Sequence, residues 1–149
     1  MSDIADVEAA DRIGKRRARI FFLQGLLFLM WQANFFSSLP AGPMRTVDHF
    51  KISAWFVWVL ALLLLLATGG TLLRRPALRV LLNDELTRQH RTTAYVWGFW
   101  AAMGAGVALY VVNLFEPVSG REAIHVVLSL AIAAAILTFA RLERRGRAA

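Results

Sequence analysis

The sequence contains no cysteine, which excludes a disulfide framework, a thiolate metal site and a cysteine nucleophile. Acidic residues are scarce, with 10 Asp and Glu against 17 Lys and Arg, giving a formal net charge of +7. In a soluble chain that balance would point to nucleic acid. Here the basic residues flank apolar runs, where they orient helices and meet acidic headgroups, so nucleic-acid binding is not expected. Motifs for chemistry are missing too: there is no G-x-S-x-G, no H-E-x-x-H and no phosphate-binding glycine loop. Ser37, Ser38, Ser119 and Ser129 have no histidine and acid at recognisable spacing, so no catalytic residue is expected. No long linker, low-complexity tract or internal repeat interrupts the chain.

What is abundant is apolar sequence. With 58% hydrophobic residues and a mean hydropathy of +0.52, the 149 residues are expected to be used almost entirely by a single four-span membrane domain over 20–149, with no separate soluble domain. From Ile52 to Leu73 there is no charged residue. A helix of that length reaches roughly 33 Å, enough for a hydrocarbon core of about 30 Å. Arg74, Arg75 and Pro76 are expected to stop it, because arginine is costly in lipid and proline ends the hydrogen-bond ladder.

Three further spans are predicted, at about 20–38, 94–115 and 123–140. Residues 1–19 read as a basic N-terminal tail, acidic at first (Asp3, Asp6, Glu8, Asp11) and then carrying Arg12, Lys15, Arg16, Arg17 and Arg19. A signal peptide is not expected, since the segment before the first apolar run is long and starts acidic. Leu39 to Pro43 and Glu116 to Gly120 are predicted as short turns. Between spans two and three, Asn83 suits an N-cap and Asp84 and Glu85 suit the positive end of a helix dipole. Residues 84–93 are therefore expected to extend helix three beyond the bilayer. Counting Lys and Arg along the chain gives five in the N-terminal tail, two, five and one in the three connections, and four in the C-terminal tail. That alternation predicts an all-α, four-span bundle with both termini cytoplasmic, and arginine-rich flanks suggest a bacterial inner membrane.

Three sets of residues are candidates for function. Asp84, Glu85, Arg88 and Arg91 form a charged face at the start of helix three, suited to a protein partner. Gly98, Ala101, Ala102 and Ala105, flanked by Ala94 and Ala108, make a small-residue stripe that lets another helix approach closely, in the same chain or in a second copy. Gln24, Gln32 and Asn34 fall within about 160° on a helical wheel. With Asn113 they are candidates for a ligand or water path, the alternative being interhelical hydrogen bonds. His49 and His125 are expected at the outer ends of spans two and four, near Asp48, Glu116 and Glu122. Haem or metal ligation there is a weaker reading, because no tight spacing such as H-x-x-x-H supports it. No cofactor is therefore expected. Proton-coupled transport needs an acid or base embedded in the membrane, and no such residue is expected here. The small multidrug resistance transporters also have four spans but centre on a glutamate in the first, where this sequence offers only Gln24 and Gln32.

Asn83 to Arg88, leading into the A-x-x-x-G pattern of Ala94 to Gly98, with four spans and basic ends, resembles small uncharacterised bacterial inner-membrane proteins. Some of these accompany transcription regulators. The resemblance covers residues 83–104 and implies an accessory or regulatory role, with no catalytic residue carried over. The expected function is a non-enzymatic accessory protein in the lipid bilayer, bound to another protein or to a second copy. A small carrier lined by the amides and a haem or metal subunit using His49 and His125 are the alternatives.

Overall fold

The computed structural model describes residues 2–37, 46–71 and 85–146, with the side chains of 2–11, 34–37 and 46–48 left aside. The described residues form four α-helices and no strand: α1 (Ser2–Ser37), α2 (Thr46–Ala67), α3 (Glu85–Val112) and α4 (Gly120–Arg145). Among the described residues, three stretches are long and apolar enough to cross a membrane, His49–Ala67 in α2 together with the whole of α3 and α4.

Helix α1 is one continuous helix of 36 residues, about 54 Å long at 1.5 Å per residue. The predicted tail at 1–19 is therefore helical from Ser2 onward and continues the apolar segment without a break. No proline interrupts it, and its weakest helix formers are the two glycines, Gly14 and Gly25.

Helix α2 departs from expectation at both ends. It starts at Thr46 and stops at Ala67, where the apolar run had predicted a span from Ile52 to Leu73. The stop is a Schellman motif. Gly69 and Gly70 take φ of 60° and 71°, the Gly70 N–H donates to Leu65 O at 2.9 Å and the Gly69 N–H to Leu66 O at 3.2 Å. Glycine is suited to this left-handed turn, because a Cβ there would crowd the following carbonyl. The helix thus ends on glycine geometry, before Arg74, Arg75 and Pro76 are reached.

Helix α4 opens on a capping box: the Ser119 side chain accepts from the Glu122 N–H, and Glu122 accepts from the Ser119 N–H. Arg144 and Arg145 in its last turn suit the negative end of the dipole. It is the central helix, packing against each of the other three.

How closely each neighbour approaches follows from side-chain size. At α3, a Cβ added to Gly98 would lie 3.0 Å from Ala131 O and 3.1 Å from the Ala135 Cβ, so these backbones meet over small residues. At α1, Gly25 sits under Leu137, and an added Cβ would come within 2.8 Å of its Cδ2. Helices α1 and α2 are instead held apart by aromatic rings, with Phe28 and Trp31 each 5.8 Å from Trp58. The core centres on Phe21, Phe28, Ile136 and Phe139, with Phe21 and Phe139 ring centroids 4.8 Å apart. Leu62 and Leu66 face that core while Leu63 and Leu64 point outward, as a helix with a protein side and a lipid side requires.

Candidate functional site

Two buried polar clusters lie near opposite ends of the bundle. The first is built on Arg17 of α1 and Glu143 of α4, only 6% and 3% exposed. Arg17 Nη2 donates to Glu143 Oε2 and to Thr87 Oγ1 at 3.3 Å, and Nη1 donates to Gly69 O at 3.2 Å. Thr87 passes its own O–H to Glu143 Oε1 at 3.2 Å, and His90 Nδ1 lies 3.3 Å from the same oxygen. The Arg17 guanidinium carbon also sits 5.7 Å from the centroid of Phe139. An ion pair taken out of water persists only if its remaining donors and acceptors are also occupied. Here an oriented threonine, a histidine and a helix-terminal carbonyl occupy several of these sites. Arg91 adds a bond from Nη1 to Ala67 O at 2.5 Å, so two carbonyls at the C-terminal end of α2 are taken by arginines of other helices.

This cluster fixes the register of the bundle. The basic part of α1, the end of α2, the start of α3 and the end of α4 meet at one end, so the helices run alternately up and down. Glu143 is an acid enclosed within the bundle, at a position that sequence reasoning had assigned to the C-terminal tail. Its sequence neighbours Arg141, Arg144 and Arg145 are exposed cations, and the segment reads as a basic C-terminal tail. The signal available was that Glu143 is the only acid after Glu122.

The second cluster joins α1, α2 and α4. His125 Nε2 is 2.6 Å from Gln32 Oε1, and the imidazole lies against Trp55 with centroids 4.5 Å apart and planes 32° apart. Ser129 follows His125 by one helical turn on the same face. All four are at most 7% exposed. Eighteen residues separate His125 from Glu143 along α4, about 27 Å, so the clusters stand roughly a hydrocarbon core apart.

The other candidates scatter. Gln24 is half-buried on α1, and the Asn34 side chain lies outside the description. Asn113 is exposed at the far end of α3, where its Oδ1 accepts from the Val118 N–H at 2.9 Å. It serves the α3–α4 turn and is not enclosed with Gln32. His49 is exposed whereas His125 is enclosed by Trp55 and Gln32, and no group of three or more His, Asp or Glu able to hold a metal occurs among the described residues. Ser129 Oγ has no hydrogen-bond partner among the described residues.

At the start of α3, Asp84 lies outside the described residues. Glu85 and Arg88 are exposed and 3.6 Å apart, whereas Arg91 is half-buried and bonded to α2. The small-residue stripe packs within the chain. Ala94, Gly98 and Ala105 are buried, Ala101 and Ala102 half-buried, and it is α4 that occupies the groove.

No family model matches the chain, and no curated protein or solved structure matches it. Its class rests on its own geometry: an all-helical protein whose three long apolar helices mark it as a membrane protein.

Proposed function

We propose that the chain is a four-span protein of a bacterial inner membrane, with both termini cytoplasmic. It acts without catalysis of its own, by binding a second protein through the first turns of α3. Helix α1 serves as the fourth span. Its outward residues Ile20, Leu23, Leu26, Leu27 and Met30 are all apolar and exposed, while Gln32 turns inward, the distribution lipid demands. The cytoplasmic assignment rests on charge. Arg12, Lys15, Arg16, Arg19, Arg88, Arg141, Arg144 and Arg145 are exposed around the Arg17–Glu143 end, against Arg121 and the half-buried Lys51 at the other.

The observation that carries the partner reading is the division of α3 into two faces. Thr87, His90 and Arg91 are committed to the bundle, while Glu85 and Arg88 keep 88% and 65% of their side-chain surface exposed. The fixed side holds the helix rigidly enough for the free side to present a defined mixed-charge patch.

The test is native mass spectrometry of the protein extracted gently from its own membrane, before and after the exchange Glu85→Arg with Arg88→Glu. A heterologous subunit that is lost on charge exchange, with helicity and insertion unchanged, supports the proposal. A subunit that stays bound removes the α3 face, and a bare monomer or homodimer removes the partner.

A further inference from the structure

The Gln32–Trp55–His125–Ser129 cluster is not accounted for by packing. Gln32 turns its carbonyl oxygen on His125, which leaves its amide nitrogen, the Trp55 indole N–H and the Ser129 hydroxyl without a hydrogen-bond partner among the described residues. The three belong to side chains that are 5%, 6% and 3% exposed, and they come from three different helices around one imidazole. A buried donor with no acceptor is costly, and in lipid no solvent relieves it. Gln32 bonds to the His125 ring, Trp55 lies against it and Ser129 stands one turn further along α4, so the three donors surround one side chain and together complement a group that accepts hydrogen bonds.

We propose that this cluster is a binding site for a small hydrogen-bond acceptor, either a water molecule or a monovalent anion of similar size, held by Gln32 Nε2, Trp55 Nε1 and Ser129 Oγ. Cations are the wrong class: two of the groups can only donate, and no carboxylate is bonded to any of the three. The nearest acid along α4, Glu122, is engaged by Ser119. The near-complete burial limits the occupant's size. Access is from the outer end, since Gln32, Trp55 and His125 lie about five to nine residues from the outer ends of their helices, roughly 8–14 Å in. The site is separate from the Glu85 and Arg88 patch, so it stands or falls independently of the partner reading.

The test uses full-length protein carrying [15N]tryptophan in lipid nanodiscs, where five indole resonances are expected from Trp31, Trp55, Trp58, Trp97 and Trp100. Trp55 is assigned by Trp55→Phe or, should that variant not insert, by elimination with the other four Trp→Phe variants. Magnetisation transfer from a long-lived water to the Trp55 indole N–H, indifferent to salt, identifies water. A Trp55 shift that saturates with sodium bromide and is absent with sodium gluconate identifies an anion. Ser129→Ala removes one donor and is expected to abolish the water cross-peak or to raise the bromide midpoint several-fold. A Trp55 resonance silent in both experiments, or one whose response survives Ser129→Ala unchanged, overturns the proposal.

Discussion

Arg17 and Glu143, 126 positions apart in the sequence, meet as a buried ion pair that ties the first helix to the last. Thr87 bridges them, accepting from the guanidinium and donating to the carboxylate, and Gly69 brings in the end of α2. Every helix of the bundle therefore has a residue in or against this one contact. The pair sits where α1 and α4 leave the apolar part of the bundle, and in the four-span arrangement proposed above it would lie close enough to an interface for arginine and glutamate to be tolerated during insertion.

Removing one partner strands the other. Arg17→Met or Glu143→Leu alone is expected to destabilise the folded bundle by about 3–5 kcal/mol, whereas the double substitution Arg17→Met with Glu143→Leu recovers much of the loss. Thermal unfolding of purified protein in one detergent, followed by size exclusion, reads the difference. Strictly additive single and double effects would show that the two side chains do not depend on each other.

The α3–α4 contact makes a prediction that contrasts glycines on a single helix. Gly98→Val places methyl groups against Ala131 O and Ala135, already at 3.0 and 3.1 Å from a bare Cβ, and overpacking of this kind costs about 1–3 kcal/mol. Nothing lies within 4 Å of a Cβ at Gly104 or Gly106, so Gly104→Ala and Gly106→Ala leave the melting temperature unchanged or raise it slightly. Equal losses at all three positions would mean that the close approach at Gly98 is not what holds α3.

Much of this architecture is legible in one sequence because lipid makes local signals decisive. The apolar lengths located the helices, and the spacing of Ala94, Gly98 and Ala105 marked the face that packs. The end of α2 was misread because Gly69 and Gly70 are apolar by composition. A turn made of them does not lower hydropathy, and the carbonyls it frees are satisfied by Arg17 and Arg91, which are distant in sequence. Glu143 was hidden for the same reason, since a buried acid is recognised by its partner and its partner is on another helix. Gln32 and His125 had each been singled out, for different hypotheses. Their pairing across 93 positions is a fact of tertiary structure that no spacing rule contains.

The glycine stop of α2 is itself testable. At φ of 60°, a side chain at Gly69 meets the left-handed penalty of about 1–2 kcal/mol, so Gly69→Ala destabilises even though its Cβ meets no atom closer than 3.8 Å. The substitution also disturbs the carbonyl that Arg17 binds. Its cost should therefore shrink in an Arg17→Leu background, and the four melting temperatures of that cycle measure the coupling. If Gly69→Ala costs the same in both backgrounds, the Arg17 bond contributes nothing to the turn.

The orientation proposed for the membrane can be read directly, because a chain without cysteine lets a single introduced thiol be the only one labelled. Arg88→Cys and Arg145→Cys occupy exposed positions at the basic end, and Glu116→Cys an exposed position in the α3–α4 turn. In intact cells whose outer membrane has been permeabilised, a membrane-impermeant maleimide should label Glu116→Cys alone, with the other two labelled only after lysis. Positively charged flanks resist translocation, so the basic end, where three helices deliver arginines around Glu143, is the one expected inside. Labelling of Arg88→Cys and Arg145→Cys from outside would invert the bundle. Labelling on opposite sides would break the shared end that Arg17 and Glu143 define, leaving an odd number of crossings.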